Sequence, residues 1–186
     1  MRYQTFSVVN RMKIATSTLL AVVVFGYGQY SIAQESVKSL RQVTGNVKVP
    51  STKFSDGSKS LTLDSFRGRG VVLNFWATWC GPCVTEMPSL DRLATKLDMK
   101  KFVVVAVSQD NGGPSQVKPF LEKLKIKNIT ILYDPSQGGL RDFGIRGLPT
   151  TLLISAEGRV VARLEGSVEW DSSEMINKIK ELNDSR

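Results

Sequence analysis

The chain's two cysteines stand two residues apart in Trp79-Cys80-Gly81-Pro82-Cys83, where an apolar run gives way to a helical pattern. This placement restricts the local fold more than any other feature. Val71-Val72-Leu73-Asn74-Phe75-Trp76-Ala77 is short and almost unbroken in its apolar character, as expected of a strand buried on both faces. After it, Met87, Leu90, Leu93, Ala94 and Leu97 recur at helical spacing, which predicts a helix over Cys80–Lys100. Positions i and i+3 of a first turn share a face, so the two sulfurs can close one small disulfide ring. So short a ring removes little entropy from the unfolded chain and is a weak structural staple. A sulfur at a helix N-terminus meets unpaired N–H groups and the positive end of the helix dipole, and both favour a thiolate. The pattern points to a dithiol/disulfide exchange centre. Two alternatives stay open, a structural disulfide and a thiolate metal site. The second is short of ligands, because the chain has no histidine and no further cysteine.

The flanking sequence places this centre in a domain of about 140 residues. Residues 1–33 read as an export segment. Arg2, Arg11 and Lys13 precede an apolar stretch from Ile14 to Phe25, and Ser31-Ile32-Ala33 offers small residues for cleavage before Gln34. Met12-Lys13 is a second candidate start. A cleaved signal peptide and a retained membrane anchor are both compatible with it, although a span wants about 20 mostly apolar residues. In either case the remainder faces a non-cytosolic compartment. Residues 34–47 are polar and weakly periodic, a spacer, and residues 48–186 form the domain. The 25 Lys and Arg outnumber the 17 Asp and Glu, but three of the cations lie in the export segment. The densest basic group, Lys118, Lys123, Lys125 and Lys127, fits a solvated helix face and its exit. With no interleaved aromatic residues as stacking platforms, nothing supports nucleic-acid binding.

Within the domain, strand and helix signals alternate. Phe54 to Leu63 reads as a hairpin turning at Asp56-Gly57, and Phe102–Ser108 and Ile129–Tyr133 as strands. Thr151–Ile154 and Val160–Leu164 form a second hairpin. Ser115 can cap a helix running to Leu124, a brief helix lies near Gly139–Phe143, and Asp171 to Glu174 resembles a capping box for a last helix reaching Leu182. This order implies an α/β domain with a mixed central sheet covered by helices on both faces.

Asn74-Phe75-Trp76-Ala77-Thr78-Trp79-Cys80-Gly81-Pro82-Cys83, then Glu86-Met87-Pro88, then Gly147-Leu148-Pro149-Thr150 resemble the thioredoxin fold. More narrowly, they resemble the exported TlpA-type thiol–disulfide reductases of bacteria. Leu63-Asp64-Ser65-Phe66-Arg67-Gly68 and Glu169-Trp170 are weaker echoes. The resemblance implies that Cys80 is the exposed nucleophile and Cys83 the shielded resolving thiol. It makes Pro149 a cis-proline facing the disulfide, where periodicity alone would make it an ordinary trans residue at a strand entry. The Leu148 backbone then pairs with substrate, and Trp79 flanks the nucleophile as an apolar lid. Gly81-Pro82 matches reducing thioredoxins, with potentials near about −270 mV; strong oxidants near about −120 mV carry a histidine in this gap. Where cytosolic thioredoxins bury an aspartate, this chain has Asn74, which cannot titrate. Glu86, on the helical face of Cys83, stands where TlpA-type proteins carry a glutamate and is the candidate proton acceptor for Cys83.

The expected function is therefore reduction of protein disulfides in the periplasm or cell envelope, with no cofactor beyond the Cys80–Cys83 pair. Its expected partners are an inner-membrane electron donor and either apocytochrome c or copper-site assembly proteins. A disulfide oxidant or isomerase is an alternative, as is a copper(I) chaperone, since thiolates suit Cu(I).

Overall fold

The computed structural model describes residues 39–184, so the export segment lies outside the described residues. Among these, eight strands form one mixed sheet in the order β1-β8-β7-β4-β5-β6-β2-β3. They are β1 (Arg41–Gln42), β2 (Phe54–Ser55), β3 (Ser60–Leu61), β4 (Gly70–Trp76), β5 (Phe102–Ser108), β6 (Thr130–Tyr133), β7 (Thr150–Ile154) and β8 (Val160–Glu165). β4, β5 and β6 run parallel, while β7 pairs antiparallel with both β4 and β8. The helices are α1 (Gly81–Lys96), α2 (Gly113–Lys123), α3 (Gly138–Asp142) and α4 (Ser173–Asp184), and Leu63–Phe66 forms a 3₁₀ turn ahead of β4.

The apolar run of β4 feeds two cores because successive side chains point to opposite faces. Val72 and Trp76 pack with Met87, Leu90 and Leu93 of α1 and with Met175, Ile179 and Leu182 of α4. Val71, Leu73 and Phe75 join Val105, Val107, Leu152, Ile154 and Phe143 on the other face. Every residue of β4 is buried, which is why its pattern reads as continuous rather than alternating. Each fully buried Leu or Met contributes about 1.5–3 kcal/mol of apolar transfer. The helices thus cover both faces of a thioredoxin-type sheet, as the sequence implied.

Some boundaries differ from expectation. α1 ends at Lys96 rather than Lys100, because Leu97 turns extended and the Asp98 carbonyl accepts from Lys101 and Phe102, which starts β5. α2 begins at Gly113, with Pro114 early in its first turn where a missing N–H costs nothing. The last helix is capped by Ser172, whose hydroxyl accepts from Met175 N at 3.2 Å; Asp171 instead holds Arg92 and Lys96. Part of the stretch read as a polar spacer docks on the sheet. Arg41 and Gln42 pair with Arg163 and Ala162 of β8, and Leu40 enters the core. A two-residue edge strand with exposed side chains leaves almost no hydrophobic periodicity to detect.

Candidate active site

The site lies at the carboxyl ends of the parallel strands, the usual position for chemistry in sheets of this kind. β4 ends at Trp76, and the chain turns through Ala77-Thr78-Trp79 into α1. The buried carboxylate of Asp110, just past the end of β5, holds this turn. It accepts from Thr78 N at 3.0 Å, Thr78 Oγ1 at 2.6 Å, Ser108 Oγ at 2.8 Å and Gln116 Nε2 at 2.8 Å. Read from sequence as a loop residue, Asp110 gave no sign of this role, since its partners come from three separate segments.

Cys80 is the N-cap of α1, and its Sγ accepts from Cys83 N at 3.3 Å. The two sulfurs are bonded to each other at 2.01 Å. The first turn of α1 contains no acidic residue, so nothing there opposes the helix dipole at Cys80. Pro82 occupies an early helical position. Gly81 faces open space, with nothing within 4 Å of where a Cβ would stand. Cys83 is completely buried and Cys80 is 6% exposed. The order of exposure is the expected one, but Cys80 presents a narrow edge of sulfur rather than an open thiol. Its neighbour Trp79, by contrast, is 67% exposed.

The Leu148-Pro149 peptide bond is cis. Leu148 lines, together with Trp79, Cys80, Gln109, Leu140 and Ile145, a cleft of about 400 Å³ to which Gln137, Arg146 and Gly147 also contribute. Gly139 allows the α3 wall to close in, since a Cβ there would meet Phe54 and Phe75 at 2.9 and 3.0 Å. Asp134 receives the Gly138 and Gly139 N–H groups at 3.1 and 2.7 Å.

Behind the disulfide, Glu86 is 2% exposed, one turn further along α1 than Cys83. Asn74 Nδ2 donates to its Oε1 at 2.8 Å, and Trp170 Nε1 and Val168 N donate to its Oε2 at 2.9 and 3.3 Å. Burial pushes the Glu86 carboxyl up to about 7, against three donors that pull it down. Asn74 also donates to Thr151 Oγ1 at 2.9 Å, which ties the carboxylate to β7. Trp170 N donates to Ser89 Oγ at 3.1 Å, so the segment ahead of α4 is stitched to α1 at Glu86 and Ser89 as well as at Arg92 and Lys96. The structure thus gathers Asn74, Trp79, Cys80, Gly81, Pro82, Cys83, Glu86, Leu148 and Pro149 around one helix mouth. The sequence reading missed Asp110, Gln109, Arg146 and Thr151. Trp170 was visible only as an echo of the family pattern.

Comparison with known proteins agrees with this geometry. The Redoxin family profile matches residues 44–179. "Thiol-disulfide oxidoreductase ResA" of Bacillus subtilis is 30% identical over 163 residues, 86% of this chain and 87% of that protein. ResA of Bacillus anthracis is 35% identical over 108 residues, 58% of this chain; the match spans 61% of that relative's length. Among solved structures, a putative thiol:disulfide interchange protein DsbE from Chlorobium tepidum has a TM-score of 0.67 and 28% identity, covering 76% of this chain and 99% of that one. The exposed lipoprotein thioredoxin Etrx1 of Streptococcus pneumoniae has a TM-score of 0.59 and 30% identity, covering 70% of this chain and 98% of that one.

Proposed function

Since the chain belongs to the Redoxin family, with ResA-type thiol–disulfide oxidoreductases among its relatives, we propose that it reduces protein disulfides through Cys80 and Cys83. The observation that carries this reading is the bonded pair at the mouth of α1, with the Cys83 N–H directed at Cys80 Sγ and the cleft opening beside it. A donor aimed at that sulfur stabilises negative charge there once the disulfide is opened, and so favours the reduced protein's attacking thiolate.

The exchange balances in two steps. The Cys80 thiolate attacks one sulfur of the substrate disulfide; that S–S bond breaks, and the leaving thiolate takes up a proton. Cys83 then gives its proton to Glu86 and attacks Cys80 Sγ, which releases the second substrate thiolate and re-forms the Cys80–Cys83 bond. Two electrons pass to the substrate; its first thiolate is protonated from solvent, its second takes up the proton held on Glu86, and no cofactor is needed. A carboxylate poised near 7 is suited to accept a thiol proton at neutral pH. The oxidised pair is reduced back to the dithiol by an electron donor that itself carries a dithiol and becomes a disulfide, which we place at the inner membrane.

The export pattern in residues 1–33, and the exposed lipoprotein among the structural relatives, support a periplasmic or cell-envelope location. Apocytochrome c or copper-site assembly proteins are the proposed recipients. Equilibration with glutathione tests the reductant assignment. A potential well below about −180 mV is expected, and a value above it makes the protein an isomerase or oxidant instead.

A further inference from the structure

Disulfide exchange requires two sulfurs and a proton acceptor, yet the cleft beside Cys80 carries polar groups that serve neither. Arg146 is exposed on its rim, and its guanidinium makes no hydrogen bond or ion pair among the described residues. Elsewhere Arg67, Arg92, Arg159 and Arg163 each lie within 3.5 Å of an acidic side chain. No Asp or Glu lines the cleft, so Arg146 is its single formal charge. Deeper in, Gln109 is 1% exposed, and its Oε1 has no donor. A buried acceptor left open in this way favours an incoming N–H. In the same cleft Trp79, Leu140, Ile145 and Leu148 supply apolar surface, of which Trp79 is largely uncovered.

A free guanidinium sharing one cleft with an exposed aromatic and further apolar side chains is the chemistry that receives a carboxylate with an apolar neighbour. We propose that this cleft selects acidic segments. The stretch of substrate bearing the target disulfide sets an Asp or Glu side chain on Arg146, an apolar side chain against Trp79, and a main-chain N–H on Gln109 Oε1. The inference rests on the reductase reading and adds the substrate class to it. It changes the rate of the first attack and leaves the two-electron balance of the exchange untouched.

The test uses the reduced full chain and acetylated, amidated peptides that share one internal disulfide and differ only in a Glu, Gln or Lys beside a cysteine. Blocked termini make the side chain the sole carboxylate. The uncharged 2-hydroxyethyl disulfide is the reference substrate. At low ionic strength the Glu peptide is reduced about three- to fivefold faster than the Gln peptide, and the Lys peptide slowest, a spread in keeping with a partly exposed charge pair. At about 1 M salt, where the Debye length is about 3 Å, the spread collapses. With each rate divided by the same variant's rate on the uncharged reference substrate, which cancels any change in Cys80 reactivity, Arg146→Gln levels the three peptides and Arg146→Glu inverts their order. Gln109→Leu slows all three peptides by a common factor. If Arg146→Gln preserves the Glu-to-Lys ratio, or wild type shows none, the cleft does not read charge and the inference falls. If wild type fails to reduce the reference substrate through Cys80, the reductase reading itself falls, whatever the peptides do.

Discussion

One turn of α1 separates two surroundings of opposite character. At the rim, Trp79, Gly81 and Arg146 are exposed; among the described residues Arg146 has no partner, and nothing stands within 4 Å of where a Cβ on Gly81 would be. Below it, Cys83 and Glu86 are buried, and Glu86 is bound by three donors drawn from β4 and from the segment ahead of α4. Groups held from several sides have a fixed position and a defined proton affinity, whereas groups without partners are available to another molecule. The same helix therefore presents a contact surface at its tip and a tuned interior one turn in.

Breaking the interior at the sulfurs gives the largest effect. Cys80→Ser abolishes disulfide reduction. Cys83→Ala leaves the attack intact and accumulates mixed disulfides on Cys80, visible as reductant-sensitive bands on a non-reducing gel. Glu86→Gln comes next and is expected to slow reduction at pH 8 by about 100-fold, the lower end of the usual range for a lost proton acceptor.

The same substitution moves stability in the opposite direction. Glu86 titrates near 4.5 when unfolded and about 7 when folded, so the folded state binds the extra proton between those values. Its contribution is complete below pH 4.5 and is lost as pH rises to 7, an amount of about 3 kcal/mol at 1.36 kcal/mol per pH unit. Urea unfolding of wild type should show that decline, and Glu86→Gln should flatten it and be the more stable form at pH 8. A parallel decline in both proteins would mean that Glu86 does not titrate in this window.

Trp170→Phe keeps most of the apolar ring and removes the Nε1–H that holds Glu86 down. The midpoint of the pH–rate profile should rise above 7, with a stability loss of about 1 kcal/mol for the lost donor, since Glu86 Oε2 keeps only the Val168 N–H. An unmoved midpoint would separate Glu86 from the rate. At the rim the expectation is smaller. Trp79→Ala should weaken peptide reduction about threefold with stability changed by less than about 0.5 kcal/mol, because its ring is mostly in solvent. A large stability loss there would show that the rim and the interior are not independent.

How much of this was legible depended on range. The strand leading into the cysteine turn, read as Val71–Ala77 and found as Gly70–Trp76, the closeness of the two sulfurs across one turn and the early Pro82 all follow from neighbours within about ten residues. Burial of Glu86 was foreseen only through the family pattern, and so was the cis bond at Leu148-Pro149, since neither spacing nor propensity distinguishes it from a trans strand entry. The edge strand at Arg41–Gln42 escaped notice, because two exposed residues carry no periodic signal.

By itself the sequence determined the local device, a strand that delivers two cysteines to the start of a helix, because hydrophobic period and helix-end chemistry act between near neighbours. Tertiary structure alone decided what surrounds the device. Trp170 reaches Glu86 across 84 residues, Thr151 reaches Asn74 across 77, and Gln109 and Arg146 meet in one cleft. Such hydrogen bonds exist only after distant strands have paired and water has been excluded, and that exclusion is also what raises the proton affinity of Glu86.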